Sequence, residues 1–166
     1  NYIVPGAKTI ESILKDPITI DLEEYIIQKI NFYKNYSIDK LCKEFDVNFE
    51  RKPKNLLALL VYRILGIKGN QAEEFVKANI VIKTIRVNNN NSITESMSFP
   101  TFKFKELIKE EWEDSTFGNY LRETRFLFAI FKYDEYDVLR LKGCQFWNIS
   151  YADLEEVSIV WNKTKQ

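Results

Sequence analysis

Residues 125–132, Arg-Phe-Leu-Phe-Ala-Ile-Phe-Lys, set six consecutive apolar side chains between two cations. Successive side chains of a strand point to opposite faces, so an apolar run of this length is the pattern of a central strand covered on both sides. The fold must therefore bring apolar cover to two faces of a sheet.

Candidate neighbours for that strand are legible on either side of it. Residues 80–87, Ile-Val-Ile-Lys-Thr-Ile-Arg-Val, are rich in β-branched residues, which suit a pleated surface. Asn88, Asn89, Asn90 and Asn91 tolerate left-handed backbone, so they are expected to turn the chain into a further strand over about 93–99, closed by Pro100. Asp134 and Glu135 turn the chain into another strand within 138–147, where strict alternation covers Leu139 to Lys142. The spacing of apolar residues predicts helices over about 22–34, from Ser37 through Phe45, over 56–65 with Gly66 and Gly69 ending it, and over 102–112. Residues 117–123 suggest a helical turn, and Ser150 caps a last helix carrying Leu154, Val157, Val160 and Trp161. The resulting expectation is an α+β (α/β-like) domain with a mixed sheet of about four strands flanked by helices. Residues 1–20, with Pro5, Gly6 and Pro17, read as an entry arm or linker, and 21–166 as the domain.

Composition narrows the chemistry. No histidine occurs among the 166 residues, which removes imidazole bases, histidine triads and the usual zinc sites. Lys plus Arg equals Asp plus Glu at 24 each, so binding to nucleic acid would have to use a local patch. Cys42 and Cys144 are far apart in sequence and in no paired motif, and read as free thiols in a reducing compartment, with a disulfide as the alternative. The longest apolar run is too short to span a bilayer and no signal peptide is recognisable, so no membrane partner is expected. The chain starts at Asn1 and stops in polar residues just after a helical pattern, as expected of a fragment of a longer cytoplasmic protein.

Lys83 interrupts the strand at 80–87. An ammonium group is costly to bury without a partner, so the lysine either reaches a polar cleft or lays its stem along the strand and snorkels to solvent. Arg51, Lys52 and Lys54 around Pro53 form a small basic turn that reads as a solvated loop or a phosphate contact. Glu110, Glu111, Glu113 and Asp114 fall at the end of the helix expected over 102–112, the unfavourable end of its dipole, and read as a solvated face or as a partner or metal contact.

Residues 79–85, Asn-Ile-Val-Ile-Lys-Thr-Ile, resemble the Gly-Val-Glu-Leu-Lys-Thr-Ile strand of the MutH mismatch-repair endonucleases and the related Sau-type GATC restriction endonucleases. The apolar helix ending in Leu65-Gly66 resembles the one that carries the family's first acid. Ser96 to Phe99, Glu110 to Asp114 and Glu123 to Phe128 resemble the second MutH-like domain of the Sau-type enzymes, so the likeness covers about 36–161. It implies a restriction-endonuclease-like, MutH-like core, truncated here at its C-terminus, and Mg²⁺ as the cofactor of the parent enzyme.

Matched residue by residue, the family's catalytic positions are altered. Tyr62 stands at the helix acid, Glu74 at an aspartate and Val81 at the glutamate two before the lysine, while Lys83 is retained. A hard cation such as Mg²⁺ is usually held by one or two protein carboxylates, and valine supplies none. The resemblance thus implies no intact catalytic set and no metal or cofactor in this domain. Its implied role is a catalytically silent DNA-binding or effector domain of a GATC-specific enzyme, with double-stranded DNA and a catalytic domain of the same chain as partners. Lys83, Arg86, Lys52 and Lys54 are the candidate DNA contacts. The alternatives are an active Mg²⁺-dependent nuclease, with Glu73 or another acid in the vacated place, and a structural or dimerisation domain.

Overall fold

The computed structural model describes residues 22–48, 55–67, 73–93, 95–101 and 103–165, without the side chains of Glu73 and Glu74. The expected entry arm over 1–20 and the basic turn with Lys52 and Lys54 lie outside the described residues.

Residues 125–132 do form the central strand. The strands are β1 (Ile80–Val87), β2 (Arg125–Tyr133) and β3 (Leu139–Trp147), in the order β1-β2-β3. β1 runs parallel to β2, with Ile80 opposite Arg125 and Val87 opposite Lys132, and β3 runs antiparallel to β2. Parallel strands need a long crossover. Here residues 88–124 make it, carrying α5 (Phe104–Leu107), a 3₁₀ turn at Trp112–Asp114 and α6 (Thr116–Glu123).

The strand period divides the apolar side chains of β2 between two cores. Leu127, Ala129 and Phe131 join Ile26 and Ile30 of α1 (Leu22–Phe32), Leu41 of α2 (Ile38–Glu44) and Leu60 and Val61 of α3 (Leu56–Ile64). Phe126 joins Leu107, Trp112, Leu121 and Trp161 on the opposite face, under α6 and α7 (Tyr151–Thr164). Phe126, Leu127, Ala129 and Phe131 are all fully buried, as a strand covered on both faces requires.

The helix signals translate into specific bonds. Ser37 Oγ accepts from Lys40 N and Ser150 Oγ from Asp153 N, so both serines act as N-caps. Gly66 takes φ +80° after α3, and Ile67 N donates to Tyr62 O at 2.8 Å, which closes the helix with a left-handed C-cap. At the β2–β3 turn Asp134 accepts from the backbone N of Tyr136 and Val138, and from Arg140 Nε.

Two expectations need correction. Among the described residues, the helix expected over 102–112 is the single turn α5, where Phe104 and Ile108 stay exposed while Leu107 and Trp112 reach the core. Glu110 instead bends toward α6, where its carboxylate accepts from Thr116 N at 3.0 Å and Thr116 Oγ1 at 2.7 Å. The acid therefore sits at the favourable, N-terminal end of a helix. The second correction concerns the sheet, which has three strands among the described residues where about four were expected. The Asn turn forms, with Asn88 N donating to Ser92 O and Asn91 at φ +67°, but among the described residues the backbone of the segment after it pairs with β1 only at the Val87–Ile93 bridge. Side chains of β1, rather than its backbone ladder, hold the following residues.

Candidate functional site

Lys83 lies along the edge of β1 that faces away from β2. A groove of about 490 Å³ runs there, lined by Ala58 of α3, Lys83 and Arg86 of β1, and Glu95, Met97 and Ser98 of the returning segment. Lys83 and Arg86 are three residues apart in a strand, so their side chains leave on opposite faces. Lys83 shares its face with Val81, which packs against the core under α6 and α7. Arg86 shares its face with Thr84 and Ile82, the latter packed against the core under α1 to α3. The edge position lets both cations reach one groove.

Each cation is already engaged. Lys83 Nζ donates to the backbone carbonyl of Ser98 at 2.5 Å, with the Phe99 ring centroid 5.7 Å away. Burial pushes the Lys83 ammonium below the usual lysine range, because the charged form loses hydration. Arg86 Nη1 lies 3.4 Å from Glu95 Oε1, with 41% of the arginine and 52% of the glutamate side chain exposed. Its Nε is buried with no hydrogen-bond partner among the described residues. Arg86 also borders a second cavity of about 610 Å³ with Ser37, Asp39, Thr84 and Tyr133.

The four positions matched to the family's catalytic set are only partly brought together. Val81 and Lys83 share one face of β1, whereas Tyr62 on α3 packs against the core on the other face. Burial raises the Tyr62 pKa, so the side chain is a neutral phenol rather than an anionic ligand. Glu74 belongs to α4 (Glu73–Lys77), but its side chain lies outside the described residues, as does that of Glu73. Among the described residues no three His, Cys, Asp or Glu side chains are placed to hold a metal ion. Of the matched positions whose side chains are described, Val81 has no ligand atom and Tyr62 is a neutral phenol, so neither supplies a carboxylate for Mg²⁺.

Two acids of the cluster, Glu110 and Glu111, are engaged by structure, while Glu113 and Asp114 are exposed. Glu110 holds the start of α6, and Glu111 lies 3.4 Å from Lys165 at the end of α7. Arg122 donates to the carbonyl of Glu113. Of the two residues that hold the cations, Ser98 falls in the Ser96 to Phe99 stretch that carries the resemblance, with nothing there to mark its carbonyl as a partner of Lys83, and Glu95 falls in no motif. A carboxylate nine residues past Arg86 becomes informative only once the Asn turn is known to reverse the chain.

No family model matches the chain. It is 40% identical to the type II restriction enzyme Sau3AI of Staphylococcus aureus over 97% of its own length, and it spans 36% of that enzyme. The sequence relation is thus to one portion of a restriction enzyme.

Proposed function

We propose that this chain is a catalytically silent, DNA-engaging effector domain of a GATC-specific type II restriction endonuclease, with residues 21–166 forming a MutH-like core. The observation that carries the reading is the pair Val81 and Lys83 on one face of β1. The lysine is kept at a polar groove, while the position that would present a metal-binding carboxylate beside it is apolar.

In this role Lys83 and Arg86 meet phosphates of double-stranded DNA along the edge of β1, and Lys52 and Lys54 are further candidate phosphate contacts. Phosphate contacts fix register without reading sequence, so GATC selection requires further contacts. Cleavage and its Mg²⁺ belong to a catalytic domain of the same parent chain. The partial match to a longer restriction enzyme supports such a partner.

The test pairs a gel shift with a cleavage assay on GATC and scrambled duplexes in Mg²⁺. The expected result is binding without cutting, weakened by Lys83→Met. Robust cutting that Lys83→Met abolishes would establish the active-nuclease alternative. Absence of DNA binding would favour a structural or dimerisation role.

A further inference from the structure

Glu95 and Ser98 engage both cations of the groove with oxygen acceptors, a carboxylate on Arg86 and a carbonyl on Lys83. A phosphate would present the same kind of atom to the same donors. The segment is held at its two ends, by the Val87–Ile93 bridge and by Phe99 packed edge-on against Phe117 at 5.7 Å. Between these anchors it stands off β1 across the 490 Å³ groove, with Met97 and Phe99 about two-fifths exposed. A segment paired as a strand would have used the backbone groups of β1 and left little space. This one touches the strand through two cationic side chains.

We propose that residues 95–99 are a built-in occupant of the β1 groove, which DNA must displace before Lys83 and Arg86 can take phosphate. The inference rests on the phosphate role proposed above and adds its regulation. The Glu95–Arg86 contact is half-exposed, and such pairs contribute little to stability. It therefore opens readily. The Lys83–Ser98 bond is short and charge-assisted, so it is the contact that sets the threshold for opening. Any agent that favours the open strap would raise DNA affinity without touching DNA.

The experiment uses the whole chain and a GATC duplex. Gel shifts compare the unmodified protein with Glu95→Ala, Glu95→Gln, Lys83→Met and Glu155→Ala, the last controlling for loss of one distant negative charge. Hydrogen exchange is followed across 95–101 with and without DNA, and thermal melts establish that each variant folds. Freeing Arg86 should tighten binding about two- to fivefold beyond the Glu155→Ala control. Exchange across 95–101 should rise when DNA binds. Should the protein bind DNA and Lys83→Met weaken it, yet DNA protect 95–101 or leave them unchanged and neither Glu95 variant exceed the control, the strap is refuted and the DNA reading stands. Binding by neither the unmodified protein nor the Glu95 variants would overturn both. Binding by the Glu95 variants alone would support the strap in its strongest form.

Discussion

Replacing Lys83 by methionine keeps most of the stem along β1 and removes only the ammonium group, so it isolates the charge. If Lys83 neutralises one phosphate, the slope of log affinity against log salt should become shallower by about 0.9. The ratio of unmodified to variant affinity then scales with salt to the power of about −0.9, so it shrinks roughly 3.5-fold between about 50 and 200 mM salt. The expected count is one, because Lys83 carries one ammonium group, bonded to Ser98 O, and Arg86 leaves the strand on the other face. Fluorescence anisotropy over a salt series with GATC and scrambled duplexes measures the slope, and the change should be the same for both because phosphates carry no sequence. A ratio independent of salt would refute the phosphate role and leave Lys83 as a strand residue that snorkels to solvent. A loss confined to the GATC duplex would also refute it, since it would make Lys83 a base reader.

Gly143 sits opposite Ile130 beside the irregularity in the β2–β3 pairing, with φ +132°, and a Cβ added there would lie 2.8 Å from Asn31 Oδ1. Gly143→Ala should cost about 1–3 kcal/mol through the backbone alone in urea melts, and adding Asn31→Ala should recover only the contact with the side chain. Full recovery in the double variant would show that the backbone is unstrained. Glu23, in bidentate contact with Arg125, is held below its ordinary pKa of 4.5, first by the Arg125 hydrogen bond and then by its charge, against the opposing effect of burial. A carboxylate whose folded pKa is depressed adds stability above its unfolded pKa and loses it as pH falls through the folded one. The stability advantage over Glu23→Gln should therefore be constant near neutrality and close below about pH 4.5. An advantage that persists in acid would exclude the ion pair as its source.

Local chemistry explains which parts of the fold could be read in advance. Ser37, Ser150 and Gly66 act within a turn of their own helices, and residues 125–132 carry their two-faced burial in their own composition. Residues 93–99 are different. Ile93, Met97 and Phe99 alternate as a strand should, but strand formation depends on whether a partner offers its backbone, and here β1 offers Lys83 and Arg86 instead. The same non-local effect shortened the helix over 102–112, since Glu110 finds its partner in Thr116, in the next helix. At the candidate site the lysine was visible because a charge in an apolar strand is anomalous. Its acceptors were not, because a backbone carbonyl has no sequence signature.

The placement of Lys83 and Arg86 also constrains how a nucleic acid could approach. Their backbone positions are about 10 Å apart at the usual rise of a strand, and their side chains leave opposite faces. A single phosphate cannot lie against both stems. A DNA backbone that uses both cations must therefore run along the edge of β1, meeting one face at Lys83 and the other at Arg86. Residues 95–99 already follow that route, touching Arg86 first and Lys83 last in antiparallel sense to the strand. The strap and the proposed DNA path thus compete for one line along the sheet edge. On the proposed reading, a segment lacking regular secondary structure therefore bears on how the site is used, because it governs whether Lys83 is available to a phosphate.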